Sequence, residues 1–400
     1  FYAGGSGQAA QTKVDVKGDL NIASGYLMLA AGAVITNVFD SALAADGKYV
    51  AYTDLEELFR GGNRLSVGGK TTIGAAGCLR PFCDLRCGAA MWLDLQDVTV
   101  ATGGLIDAYE GGYNRFSVNS KVYTMCPGGL RSGDNKSAGS HGGRGGNLAV
   151  NSYQPNNKVY GFANAPFYPG YANGAGGIRG GGTIRMDCAS LALNGTLKAN
   201  GSSRNKGGSA GGGIWVNAGE ITLGDSARVS AQGGSGVSGQ GSGGGGGRIA
   251  LCQGLSDEQM QELFASDEHI CEGVSVSSLI DKYGATCISV AGGTGHASYT
   301  TGEDGTAVFI LSTAGKKMLT VAGDPENIGL PTPGYGESTH ESGTAIDLRA
   351  DAVVYLDAAE RTRRVCGGFA VTNAAGDVIA SGTGTTGSFT LTDDSFLTWD

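Results

Sequence analysis

Four histidines occur in this 400-residue chain, at 141, 269, 296 and 340, so each can be weighed singly. His141 stands in SAGSHGGRGGN (Ser137 to Asn147), three residues before Arg144. A β-eliminating attack on an acidic polysaccharide needs a base and a cation to steady the carboxylate-derived anion. His141, Arg144, Tyr109 and Glu110 supply parts of that set and are the candidate catalytic residues. Hydrolysis of a glycoside would instead need two facing carboxylates. Asp94, Asp97, Asp107 and Glu110 recur along neighbouring segments, but outward solvated acids account for them more simply. A structural hydrogen-bonding role is likewise the simpler expectation for His141.

A second cluster is aromatic. Tyr153, Tyr160, Phe162, Phe167, Tyr168 and Tyr171 sit among Pro155, Pro166 and Pro169. Aromatic faces stack on sugar rings, so Tyr153, Tyr160, Tyr168 and Tyr171 are candidate carbohydrate ligands. The plainer expectation is a long loop packed on its own domain.

Nine cysteines give an odd count and no CxxC. Cys78, Cys83, Cys87 and Cys126 lack the paired short gaps of structural zinc sites. Disulfides of a secreted chain, or buried thiols, are expected instead, with Cys271 and Cys287 the favoured pair. The glycine phrases GGSGQAAQ and GGTGHASY lack the Asp of calcium-binding nonapeptides, which leaves loop carboxylates as the route to calcium. GQGSGG precedes a strand rather than a helix, so it is no nucleotide loop. No Gly-x-Ser-x-Gly elbow stands between a strand and a helix. No resident cofactor or metal is expected.

The elements that must position these residues are legible from Gly180 to Leu251. Ile184 and Met186 match Ile214 and Val216 thirty residues later, and Leu191 and Leu193 match Ile221 and Leu223. Leu197 and Ala199 find partners in Val229 and Ala231, and Ile249 and Leu251 restart the cycle. Alternation at period 2 marks strands with one buried face. Strands too short to make a core alone must stack on the next cycle, which is solenoid logic. The expected fold is all-β: a right-handed parallel β-helix over 1–251, with Val14, Leu65 and Leu93 in earlier cycles and an inserted loop at 111–180. The Gly/Ser spacers (Ser202 to Gly213, Gly233 to Gly247) read as outward loops. Asp54 to Gly62 reads as a short outlying helix. Residues 252–288 read as a helical cap, with Ser256 capping LSDEQMQELFAS. Residues 289–400 read as a small antiparallel β-sandwich, with turns such as Asn373 to Gly376.

Composition narrows the functional classes. Glycine is 73 of 400 residues, against a usual ~7%, and no G-X-Y period makes it collagen. Net charge is −9 and only 16% of residues are charged. An acidic, lightly charged chain has no footprint for nucleic acid or an anionic membrane. No apolar run is long enough to span a bilayer. No signal peptide opens the chain, and Phe1 inside a glycine phrase suggests an excised piece.

Taken in order, SHGGRGG, GGGTIRM, LNGTLKANG, AGGGIWV and GGGGGRIAL resemble a group of large secreted bacterial β-helix proteins. The block LTVAGDPENIGLPTPGYGE and the segment from VYLDAAERTRRVCGG to the end are similar to a β-sandwich repeat appended to such surface proteins. The resemblance implies a secreted or cell-surface, multi-domain structural or adhesive protein, a rigid stalk or binding body, and it carries over no catalytic residue. The alternative is a polysaccharide lyase, glycosidase or carbohydrate-binding module with its site around 109–171. Expected partners are a polysaccharide or glycoprotein, or further copies through end-to-end contacts.

Overall fold

The computed structural model describes residues 2–3, 12–31, 63–84, 88–118, 121–124, 138–146, 159–172, 178–203, 207–237, 241–265, 273–313, 315–324, 326–357 and 362–400. Asp54 to Gly62, Cys87, Cys126, Tyr153 and Cys271 lie outside them. The described chain is all-β apart from two helices and divides into two compact units, Phe1–Leu311 and Ser312–Asp400.

In the first unit, 16 strands form one curled, open sheet. Its inward residues line up as three ladders of parallel neighbours. One runs Val14, Leu65, Leu93, Met186, Val216, Leu251, Phe309. A second runs Ile22, Ile73, Val100, Leu193, Leu223. A third runs Leu27, Leu79, Ile106, Leu197, Val229, Ile288. Ile184 pairs with Ile214 and Leu191 with Ile221, the thirty-residue register read from the sequence. The ladder residues form one core, and Leu79, Ile106, Leu197 and Val229 are completely buried.

The glycine spacers depart from expectation. Residues 207–213 and 241–247 are buried throughout, not looped out into solvent. Their carbonyls accept from one another and from other glycine segments: Gly143 N–H to Gly246 O at 2.9 Å, Gly146 N–H to Gly243 O at 2.7 Å, Gly211 N–H to Gly245 O at 3.0 Å, and Gly293 N–H to Gly244 O at 2.7 Å. Buried peptide groups must find partners, and here segments far apart in sequence satisfy one another. At Gly244 and Gly246 any Cβ would collide with a neighbouring carbonyl, of Ser209 and Val290 respectively. Backbones this close leave room for hydrogen alone.

Two helices follow. The first, α1 (Asp257–Ala265), begins as read: Ser256 Oγ accepts from Gln259 N–H at 3.2 Å, and Gln259 Oε1 accepts from Ser256 N–H at 3.1 Å. That reciprocal pair is a capping box. The expected position differs, because Met260 and Leu263 pack on the outer face of the sheet against Trp215, Ala250 and Cys252. The short α2 (Leu279–Tyr283) instead reaches the inward core, where Leu279 is completely buried beside the last rungs Ile288 and Phe309. The strand Thr306–Ser312 pairs with Arg248–Gln253, so residues 289–311, read from sequence as part of the C-terminal domain, belong to the first unit.

The second unit holds a five-stranded sheet and two two-stranded pairs. It is not wholly antiparallel: Lys316–Gly323 runs parallel to Ser395–Trp399. Leu319, Val321, Val371, Leu397 and Trp399 share a core with Ile346, Leu348, Phe389 and Leu391 from the Thr344–Arg349 and Thr386–Leu391 pair. The turn at Asn373 forms as read, with Asn373 Oδ1 accepting from Ala375 and Asp377 amides.

Candidate functional site

His141 lies inside the glycine layer and is completely buried. Its amide donates to Gly143 O at 3.0 Å and its carbonyl accepts from Tyr160 N–H at 3.0 Å. Nδ1 lies 2.9 Å from Gly211 O. A carbonyl only accepts, so Nδ1 carries the proton and Nε2 is left as a lone pair with no partner among the described residues. Burial pushes its pKa down to about 3, and the nearby Arg248 guanidinium adds to the shift. Arg248 in turn holds the same loop, its Nε donating to Tyr160 O at 3.0 Å and Nη1 to Thr306 Oγ1 at 3.1 Å. A general base must touch its substrate. His141 is a neutral, sealed peg between loop and wall.

The other candidate catalytic residues are not gathered around it. Arg144 is half-exposed, its guanidinium 4.0 Å from Glu303 and its carbonyl accepting the Glu303 amide. Tyr109 is half-buried, its hydroxyl 3.3 Å from Ser202 Oγ and its ring 4.8 Å from Lys198 Nζ. Glu110 takes a left-handed backbone conformation, φ 55°, in the turn that follows. Asp94 is ion-paired to Arg64 and accepts from Ser66, Asp97 accepts from Ser190 Oγ at 2.7 Å, and Asp107 accepts the Tyr109 amide at 2.9 Å. Each of these three acids is engaged locally, and none of these bonds joins two of them as a hydrolytic pair.

The aromatic cluster packs inward. Tyr160 and Tyr171 are buried with Tyr113 and Ala210, and Tyr160 donates its hydroxyl to Pro169 O at 2.7 Å. Tyr168 lies edge-on to Tyr160 at 6.2 Å and against Phe167 at 4.2 Å, and burial raises its pKa. Phe167 and Ala165 meet Trp215 on the outer wall. A sugar platform needs an exposed ring face, which Tyr160 and Tyr171 do not offer.

Burial holds two of the described thiols in the protonated form. Cys83 is buried, its sulfur accepts the Thr183 amide at 3.2 Å, and burial lifts its pKa to about 11. Cys188 is pushed up to about 12 by burial. Protonated thiols are poor ligands and nucleophiles. Cys287 is a free thiol. No group of three metal-ligating side chains occurs among the described residues.

Two features of the outer wall were not picked out from sequence. One is a column of register neighbours: Lys13, Arg64, Trp92, Arg185, Trp215. The Arg64 guanidinium lies 4.6 Å from the Trp92 ring centroid, and Arg185 lies 4.7 Å from Trp92 and 5.4 Å from Trp215. Burial lowers the pKa of Arg185 to about 10 and raises that of its neighbour Asp187. Cation–π stacking offsets part of the cost of burying that charge. The thirty-residue spacing of Arg185 and Trp215 was the available signal. The other feature is a half-exposed polar strip beside Tyr109. Asn200 Oδ1 accepts from Ser230 Oγ at 2.7 Å and from the Gln232 amide at 2.9 Å, and Gln232 Nε2 donates to Ser289 Oγ at 2.6 Å. With Lys198 and Asp107 it supplies donors, acceptors and one aromatic face, which is recognition chemistry rather than proton transfer. No protein-family model matches the chain, and neither a curated protein nor a solved structure shows significant similarity to it.

Proposed function

We propose that this chain is a non-enzymatic structural or adhesive part of a secreted or cell-surface protein. In this reading the first unit is a right-handed parallel β-helix acting as a rigid body, and the second is a β-sandwich spacer. The observation that carries it is the stacking of three inward ladders in one parallel register. Such an arrangement resists shear because every rung is bonded to the next along its length. The sealing of His141 agrees with it, since the chain's best candidate base is neutral and out of reach.

A second reading is carbohydrate binding. It rests on the half-exposed Tyr109, Lys198, Asn200 and Gln232 strip. Incubation with acidic and neutral glycans is expected to release no reducing or unsaturated ends above background. Turnover that is lost in Tyr109→Ala, a change at a half-exposed ring outside the core, would overturn the non-enzymatic reading. Retention on a glycan array that is lost in the same variant would favour the binding module.

A further inference from the structure

The half-exposed strip beside Tyr109 takes its geometry from the third inward ladder. Ile106, Leu197, Val229 and Ile288 are register neighbours and belong to the core. Alternation turns the next residue of each strand outward. Asp107, Lys198, Ser230 and Ser289 therefore form one column across four successive rungs. Two residues further along, Tyr109, Asn200 and Gln232 form a second column. The Ala199 amide on Ser230 O and the Gly201 amide on Gln232 O, both at 2.8 Å, keep it in step. Neighbouring strands of a sheet lie about 4.8 Å apart, so the strip is a regular surface running along the stacking direction.

Its side chains are fixed at one atom and open at another. Asn200 Oδ1 accepts from Ser230 Oγ and from the Gln232 amide, while its Nδ2 has no hydrogen bond among the described residues. Gln232 Nε2 donates to Ser289 Oγ, which leaves Oε1 open in the same sense. Asp107 Oδ1 accepts the Tyr109 amide, which leaves Oδ2. Lys198 lies against the Tyr109 ring, and although it neighbours Asp107 in register, no ion pair among the described residues joins the two. From Asp107 through Lys198 and Asn200 to Gln232, the open atoms read acceptor, donor, donor, acceptor. Groups held in place before a ligand arrives bind it at a smaller cost in entropy.

We propose that this strip binds a neutral polysaccharide of equatorially linked sugars, laid along the stacking direction with about one sugar on each rung. The repeat selects the shape, since a surface that recurs at every rung fits a polymer that recurs at a similar step. Sugars joined through equatorial bonds form a straight ribbon that advances by nearly one sheet spacing per ring. Axial bonds curl the chain off a flat surface. The charges select the class. Lys198 and Arg80 are matched by Asp107 and by Glu110 after Tyr109, in a chain of net charge −9, so a polyanion gains no net attraction. Hydroxyl groups both donate and accept, and so answer both kinds of open atom. The inference rests on the carbohydrate-binding reading of this strip and adds to it the class and direction of the ligand.

Calorimetric titration of the whole chain tests it, with the dimer, tetramer and hexamer of β-linked glucose and of β-linked mannose. In at least one series the tetramer is expected to bind about tenfold or more tighter than the dimer, and the hexamer to add little, because four rungs carry the column. Maltotetraose, which is axially linked, and the tetramer of β-linked mannuronate, which is acidic, are expected to bind about tenfold or more weakly than that tetramer. The double variant Lys198→Ala/Gln232→Ala alters only half-exposed side chains, and an unchanged urea midpoint will show that it folds. Its affinity for the tetramer is expected to fall about tenfold or more. Equal affinity for dimer and tetramer, equal affinity for maltotetraose or the mannuronate tetramer, or full affinity in the double variant would each overturn the proposal. If maltotetraose or the mannuronate tetramer binds best and the double variant loses it, the carbohydrate-binding reading stands and the assignment of class fails. No binding of any of these glycans at millimolar concentration overturns both.

Discussion

The first unit buries its backbone in two ways. Along the ladders, side chains fill the interior: Leu197 lies between Ile106 and Val229, and the strands are held a sheet's spacing apart. In the glycine layer nothing fills the space, and carbonyls sit where side chains would be. Both regions are buried, and their backbones are hydrogen-bonded from one segment to the next. They differ in what a mutation can do. The ladders lose energy when atoms are removed, whereas the layer has no room for an atom to be added.

That contrast is tested most severely by adding one methyl group. Gly244→Ala places a Cβ against the Ser209 carbonyl, which is backbone and cannot rotate aside. A loss above ~4 kcal/mol, or failure to fold, is expected from urea unfolding, since such values belong to the exceptional class. Leu197→Ala removes three carbons from a completely buried site and is expected to cost ~2–5 kcal/mol. If the glycine variant proves the milder of the two, the layer is looser than described and the contrast fails.

Acid sharpens the comparison, because the layer holds a titratable group. The folded-state pKa of His141 is about 3, below its unfolded value of 6.5. Between those values the unfolded chain binds the extra proton, so stability is lost as pH falls from about 6.5 toward 3. Unfolding free energies from urea titrations at pH 7.5 and 4.5 are expected to differ by ~2–3 kcal/mol from this group. His141→Gln is expected to flatten that dependence, and an unchanged slope would show that other groups carry it. The smallest effect lies outside both regions. Ser256→Ala breaks the capping box of α1 and is expected to cost ~1 kcal/mol by the same measurement.

Much of the ladder region was legible residue by residue. Ile184 with Ile214 and Leu197 with Val229 were paired from spacing alone, because period-2 alternation reports one buried face directly. The glycine layer was not, for a physical reason. A run such as Gly241 to Gly247 has no side chains, so it carries no alternation to read, and its burial depends on segments as distant as Gly143 and Gly293. For His141 the sequence pointed to a structural hydrogen bond but not to its partner, the Gly211 carbonyl, which lies 70 residues away. For α1, the Ser256 cap was visible and the docking surface was not, since amphipathicity says that a face is buried but not against what.

The column from Arg64 to Trp215 sets the step by which this wall can grow. The inward ladders repeat with every rung, so by that criterion one rung of about thirty residues could be gained or lost. From Arg64 to Trp215 the column alternates cation and ring, so this stretch repeats every two rungs. Duplicating the rung that carries Arg185 alone would place two guanidiniums side by side at a buried position. Duplicating it together with the rung of Trp215 would preserve every stack. Evolution or design that lengthens this body is therefore expected to proceed in pairs of rungs.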